Sequence, residues 1–436
     1  MITSRSFSAT SGWITVAFLT IAYLFSFIDR WILGLLIEPI KADLGLTDTQ
    51  IGLLLGPAFA IFYATMGLPL GWLADRRNRV RIVAVGIGLW SLATAASGLA
   101  KSFIHLFIAR MSIGIGEATL SPCAMSIISD SFPREKRSRP IAVYTTALSL
   151  GAGLASLLGA AVLTWAKTGG DITFPLLGAL APWQATFIVV GLPGLLLALV
   201  FMFLREPPRT QSTSVLTENN IWDMIRYVAA RWRLYGSFVS AFSFMVLVAY
   251  SHGWCAVLFS RTWGWDPAYY ATINGFIMIL FGPAAVLSAG WISDRWLAAG
   301  KGDAPLRIAL MGVLTIVVTG VLAPLMPNPY VSIGVFAVNT MGIGVTSAMG
   351  VNALLSISPG HIRAQIVAFY YMCISLAGLL LGPTSVAFFT DNIFGEENIR
   401  YSLALVPLIY GLPILLASRA ILRNYSLGME EHRELV

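Results

Sequence analysis

The sequence predicts an all-α membrane protein of twelve transmembrane helices arranged as two six-helix bundles. Three observations carry that expectation: the 436-residue chain is 57% hydrophobic and only 11% charged, it holds twelve apolar runs of spanning length, and its two halves repeat one another. A soluble domain carries about 25% charged residues. A chain this poor in charge cannot cover a water-facing surface, so most of its surface must meet lipid.

A span needs roughly 20 mostly apolar residues. Such runs lie near 12–37, 50–73, 82–100, 104–129, 140–165, 183–204, 236–260, 268–292, 306–326, 329–356, 365–390 and 400–422, numbered here as spans 1 to 12. The domain boundaries follow: an N-terminal bundle over 1–204, a cytoplasmic linker over 205–235 and a C-terminal bundle over 236–436. Within the linker, Ile221, Trp222, Ile225 and Val228 form an apolar stripe at helical spacing, which predicts a helix lying on a lipid surface. The first apolar run starts near Trp13 and is long enough to span, so it reads as span 1 and not as a cleavable signal.

The net charge of +7 is of the sign that nucleic acid attracts, but its distribution argues against such a partner. With both termini on one side, 21 of the 28 Lys and Arg fall in the segments on that side. Five (Lys41, Lys101, Lys167, Arg261 and Arg400) fall in the opposite loops, and Arg30 and Arg110 lie within spans. That bias is the positive-inside pattern and places both termini in the cytoplasm of a bacterial inner membrane. Cys123, Cys255 and Cys373 sit in apolar runs without metal-ligand spacing. The sequence shows no phosphate-binding loop, zinc-protease helix or other enzymatic constellation, so neither a cofactor nor a metal nor an enzymatic activity is expected.

The internal repeat is explicit. Gly71-Trp72-Leu73-Ala74-Asp75-Arg76 recurs as Gly290-Trp291-Ile292-Ser293-Asp294-Arg295, an offset of 219 where the half-length is 218. Gly114-Ile115-Gly116 in span 4 has a partner in Gly342-Ile343-Gly344 of span 10. Parallel repeats that place a substrate site at their interface are a known transporter design.

The segment from Gly71 to Arg81 resembles the signature loop between helices 2 and 3 of the major facilitator superfamily, with Asn78 where that family usually has glycine. The resemblance implies a conformational switch built on Gly71, Asp75, Arg76 and Arg79, with Asp294 as the second copy of the acid. In that family the acid corresponding to Asp75 contacts the start of helix 11. A carboxylate there is favoured by the unpaired N–H groups of a helix N-terminus. The basic residues of the loop read equally as positive-inside anchors. Phe27-Ile28-Asp29-Arg30, Arg110 to Ala118 and Ile127 to Phe132 are similar to the spinster family, which implies a lipid-like substrate such as a sphingolipid or lysophospholipid.

Four charged residues cannot be assigned to loops, tails or span ends: Asp29, Arg30, Arg110 and Glu117. A charge at the bilayer centre costs about 2.5–3.5 kcal/mol even on lenient scales, so the four must face the bundle interior and compensate one another. Span 1 runs outward and span 4 inward, which puts Asp29 and Arg110 at similar depth, roughly 10 Å below the outer surface. They are expected to form an ion pair, with Glu117 deeper on the same face as Arg110. Glu117 and Asp29 are the proton-carrying candidates. Arg30 and Arg110 could bind an anionic head group or serve only as charge partners. Trp31, His252, Trp254, Tyr370 and Tyr371 are candidates for cavity lining, although a lone His is often a structural hydrogen-bonder and aromatic residues often face lipid.

The expected function is proton-coupled secondary transport of a small amphipathic or lipid-like substrate by a monomer, with protons and membrane lipid as its other partners. An uncoupled lipid flippase, a transporter of a small organic anion or sugar, and a membrane sensor on the same fold are the competing readings.

Overall fold

The computed structural model describes residues 9–133, 136, 138–168, 172–174, 178–209, 221–359 and 362–434. Residues 210–220 of the expected linker lie outside them. Among the described residues, twelve helices are long and apolar enough to cross a membrane. They run Thr10–Leu35, Asp48–Gly67, Arg79–Ser97, Phe103–Ser131, Arg139–Thr168, Pro182–Phe203, Trp232–Trp263, Pro267–Ala298, Ala304–Leu325, Pro329–Ile357, Gln365–Phe394 and Glu396–Glu430. The chain is an all-α membrane protein, with each expected span present. One feature was not expected: a two-stranded antiparallel hairpin, Ile172–Phe174 with Gly178–Leu180, in the loop after span 5.

The chain divides into two compact units, residues 1–212 with 266–276, and residues 213–265 with 277–436. Residues 266–276 join the first unit through span 5. Lys167 Nζ donates to Asp266 Oδ2 at 2.5 Å, and the Ser156 hydroxyl donates to the Ala271 carbonyl at 2.7 Å. The amphipathic segment of the linker is a helix, Ile221–Ala230, with Met224 buried and Trp222 and Ile225 exposed.

Several spans are broken where the sequence removes a backbone hydrogen bond. Span 2 consists of Asp48–Leu55 and a second helix from Pro57, joined at Gly56. Pro57 has no N–H to continue the ladder. In span 4 the helix Phe103–Glu117 stops and a new one starts at Leu120. Here Pro122 cannot donate to the carbonyl of Ala118. Span 7 carries a 3₁₀ turn at His252–Trp254.

The repeat is visible as a packing device. A Cβ on Gly86 of span 3 would lie 2.0 Å from Thr119 Oγ1 and 2.8 Å from the Gly116 carbonyl. In the second unit a Cβ on Gly312 of span 9 would lie 2.3 Å from Thr346 Oγ1 and 3.0 Å from the Gly342 carbonyl. Backbones touch at both crossings because neither partner has a side chain in the way. This pairing aligns Gly116 with Gly342, an offset of 226, and corrects the alignment of Gly114 with Gly342. Gly114 instead packs on the Phe59 carbonyl of span 2, and Gly344 on Gly282 of span 8. The counterpart of Glu117 then becomes Ile343 in place of Val345; either residue is apolar, so an acid there is peculiar to the first unit.

Gly86→Ala should therefore destabilise the first unit, by about 1–3 kcal/mol as an overpacked contact. Thermal unfolding in detergent checks this against Gly71→Ala, since a Cβ on Gly71 meets nothing within 4 Å.

Candidate substrate and proton site

Spans 1 and 4 bring Asp29, Arg30, Arg110 and Glu117 together inside the first unit, but the pairing differs from the expected one. Arg30 donates to Glu117 Oε2 through Nε at 2.6 Å and through Nη2 at 2.5 Å. Arg110 does not pair with the Asp29 carboxylate. Its Nη1 donates to the Asp29 backbone carbonyl at 3.0 Å, and its Nε to the Leu54 carbonyl at 3.2 Å. The span 2 break explains the second contact. A regular helix would satisfy Leu54 from Ala58, and the turn at Gly56 and Pro57 frees that carbonyl for an outside donor. The Asp29 side chain turns instead to the Thr94 hydroxyl of span 3. No Lys or Arg among the described residues forms an ion pair with its carboxylate.

Access separates the four groups. Asp29, Arg110 and Glu117 are buried, whereas the Arg30 side chain keeps 12% of its surface. Its guanidinium lies over the rings of Phe59 at 4.8 Å, Tyr63 at 5.0 Å and Phe27 at 5.7 Å. Tyr23 stacks on Tyr144 at 5.1 Å and touches Phe27 at 5.3 Å. Arg30 thus sits in an aromatic cradle, where cation–π attraction holds its plane. Glu117 uses only one oxygen on it; Oε1 is buried without a hydrogen-bond partner. Phe59, Tyr63, Thr94 and Tyr144 were missed in the sequence. Phe59 and Tyr63 could have been found, as an aromatic pair four residues apart just after a Gly-Pro break.

The switch residues are distributed differently. Gly71 lies in span 2 with room around it. Arg76 is exposed and stacks on Trp72 at 3.8 Å, and its repeat counterpart Arg295 stacks on Trp291 at 3.6 Å. Asp294 is exposed. Asp75 lies within the span 2 helix, and its side chain is outside the described residues. Arg79 is not a solvated anchor. It is 1% exposed and donates to Glu206 Oε1 at 2.8 Å, Ser126 Oγ at 2.8 Å, the Pro207 carbonyl at 3.1 Å, and Asp130. It ties the start of span 3 to the end of span 4 and to the segment after span 6.

In the second unit, Trp254 and Tyr370 have no surface left to line a cavity. Trp254 is 0% exposed and donates Nε1 to the Pro383 carbonyl at 3.0 Å, and Tyr370 packs on Phe242. Tyr371 is exposed and Trp31 half-buried. His252 packs edge-on against Phe336 at 5.5 Å and faces Asn339 of span 10. Asn339 is anchored by donating to the Ile316 carbonyl at 3.0 Å and Thr319 Oγ1 at 2.8 Å. Spans 7 and 10 thus bring a His and an Asn together where spans 1 and 4 carry the charged quartet.

A family model described as Major Facilitator Superfamily matches residues 19–383. The chain belongs to that superfamily. It is 28% identical over 307 residues to the probable L-galactonate transporter of Escherichia coli (strain K12), covering 66% of this chain and 62% of the relative. It is 30% identical over 202 residues to protein spinster of Drosophila melanogaster, covering 46% of this chain and 31% of that one. The chain therefore spans less than two thirds of these relatives. A solved structure of a bacterial homolog to the human lysosomal transporter Spinster, inward-facing and unoccupied, matches with a TM-score of 0.82. It is 24% identical and covers 96% of this chain and 99% of its own.

Proposed function

We propose that this major facilitator is a proton-coupled secondary transporter that moves an amphipathic or lipid-like anion by alternating access. The membrane would be a bacterial inner membrane, with both termini cytoplasmic. The observation that carries the reading is the grip of Glu117 on Arg30, the one accessible guanidinium of the buried quartet. While Glu117 is ionised it occupies the cation. A proton on Glu117 removes the charge pair and leaves Arg30 to a carboxylate or phosphate, whose oxygens match its fork. The quartet sums to zero with both acids ionised and to +1 with one protonated, so proton and anion load together, which is the requirement for symport. The rings of Phe27, Phe59 and Tyr63 supply an apolar wall beside the head group, which suits an amphiphile better than a neutral sugar.

The similarity to a probable L-galactonate transporter supports a second reading, in which the anion is a sugar acid held by the same Arg30. Titrations of purified protein with a lysophospholipid, a sphingoid phosphate, L-galactonate and a hexose, at acidic and alkaline pH, test both. The expected result is preference for an amphiphilic anion, tightening by up to about ten-fold per pH unit on acidification, as one linked proton allows. Preference for L-galactonate with the same pH trend selects the sugar-acid reading. Preference for the hexose, or anion binding that weakens on acidification, rejects the proposal.

A further inference from the structure

The interface of spans 1, 3 and 4 buries polar atoms whose hydrogen-bonding capacity no protein group meets. Glu117 Oε1, Trp90 Nε1 and Thr94 Oγ1 are all buried and unpaired, and Trp90 and Thr94 are each 0% exposed. The Thr94 hydroxyl faces the Asp29 carboxyl but falls outside direct hydrogen-bond geometry. The residues that carry them step in depth. Trp90 is level with Glu117, since a Cβ on the adjacent Gly116 would lie 3.0 Å from both the Trp90 backbone nitrogen and its Cβ. Thr94 is one turn further outward on the same face, a rise of about 6 Å, and meets Asp29. Unsatisfied groups of this kind in native interiors are commonly completed by ordered water, which needs two to four polar partners.

We propose that Trp90 and Thr94 hold a short chain of water between the two carboxyls, and that a proton passes along it from Asp29 to Glu117. The inference rests on the proton-coupled reading above and adds the route. The transfer balances as a relay. The Asp29 carboxyl gives its proton to the first water, which passes one of its own to the Thr94 hydroxyl or to the next water. The last water delivers a proton to Glu117 Oε1, the oxygen that Arg30 leaves free. Asp29 ends as carboxylate and Glu117 as acid, and every intermediate recovers its proton count. Trp90 can only donate, so it orients water without carrying charge. Arg30 and Arg110 are the cations facing this path, and Tyr23, Tyr63 and Tyr144 are the other titratable groups around Arg30. Trp90 and Thr94 are positioning residues: they touch the carriers' path and do not themselves set the charge of the site.

The experiment needs no transported substrate. Infrared difference spectra of the protein in liposomes, recorded after a drop in pH, resolve the carboxylic acid bands. Glu117→Gln and Asp29→Asn assign them. The expected result is that Thr94→Val and Trp90→Phe slow the rise of the Glu117 band by at least about ten-fold, the scale of a lost proton-transfer partner. The Asp29 band should keep its rate, and Thr94→Ser should restore that of Glu117. The amide bands in the same spectra report folding. A Glu117 band that rises as fast in Thr94→Val and Trp90→Phe as in the unmodified protein overturns the water chain alone. Absence of any Glu117 band at every pH overturns Glu117 as a carrier, and with it the reading that a proton on Glu117 releases Arg30 to the anion.

Discussion

Glu117→Gln should abolish proton-driven accumulation while leaving exchange of substrate across the membrane intact. Gln matches Glu in shape, and its carbonyl oxygen can still accept from Arg30, so the junction of spans 1 and 4 keeps its packing. What it loses is the charge. In the unmodified protein the Arg30–Glu117 pair must be broken before an anion can hold Arg30, and a proton breaks it. In the Gln variant Arg30 faces a neutral neighbour at every pH. Anion binding should then be tight and almost flat with pH, and uphill accumulation in proteoliposomes should fall to simple equilibration. Counterflow, which needs binding and reorientation but no gradient, should continue. Glu117→Leu should do worse in a different way, because it removes the oxygen that accepts both Nε and Nη2 of Arg30, and the loss should extend to folding. If accumulation and its pH dependence survive in Glu117→Gln, coupling belongs to Asp29, and the Arg30–Glu117 pair serves packing only.

The fold was legible because the bilayer imposes one dominant constraint. Hydropathy placed each span close to its observed bounds, and the charge census set aside Asp29, Arg30, Arg110 and Glu117 as interior. Partner choice within that quartet was not legible. Depth and helical phase put Asp29 and Arg110 level, yet two facts outside that geometry decided the pairing. The long side chain of Arg30 reaches down to Glu117, and the break at Gly56 and Pro57 offers Arg110 a backbone carbonyl. Hydrophobic periodicity carries no signal of a freed carbonyl. The repeat misled by its own regularity: two Gly-Ile-Gly triplets align by eye, but Gly116 and Gly342 perform the same packing while Gly114 and Gly342 do not. Arg79 failed for another reason. Its partners Asp130 and Glu206 lie 51 and 127 residues away, so a basic run at a span end looked like a solvated anchor.

Arg79→Ala should be the most destabilising single change at this end of the first unit. The guanidinium side chain is 2% exposed, and its acid partners are 9% exposed at Asp130 and 18% at Glu206. Removing the cation takes the guanidinium away from two carboxylates that are largely shielded from water, and strips donors from Ser126 and the Pro207 carbonyl. Breaking a buried pair by deleting one partner costs about 3–5 kcal/mol, because the remaining charge cannot recover its hydration. For a unit of this size that is a fall in melting temperature on the order of 10 °C. Arg79→Lys should recover only part of the loss, since one ammonium cannot reach around the fork of acceptors that the guanidinium serves. Neighbouring Arg81 is exposed, and its replacement by Ala should cost no more than about 0.5 kcal/mol. The triple change Arg79→Met, Asp130→Asn and Glu206→Gln should regain much of the stability lost in Arg79→Ala, because it deletes both shielded negative charges along with the cation. Thermal unfolding of the four variants in detergent decides the matter. An Arg79→Ala protein no less stable than Arg81→Ala would show that water already reaches both carboxylates, and that the network does not hold spans 3 and 4 to the segment after span 6.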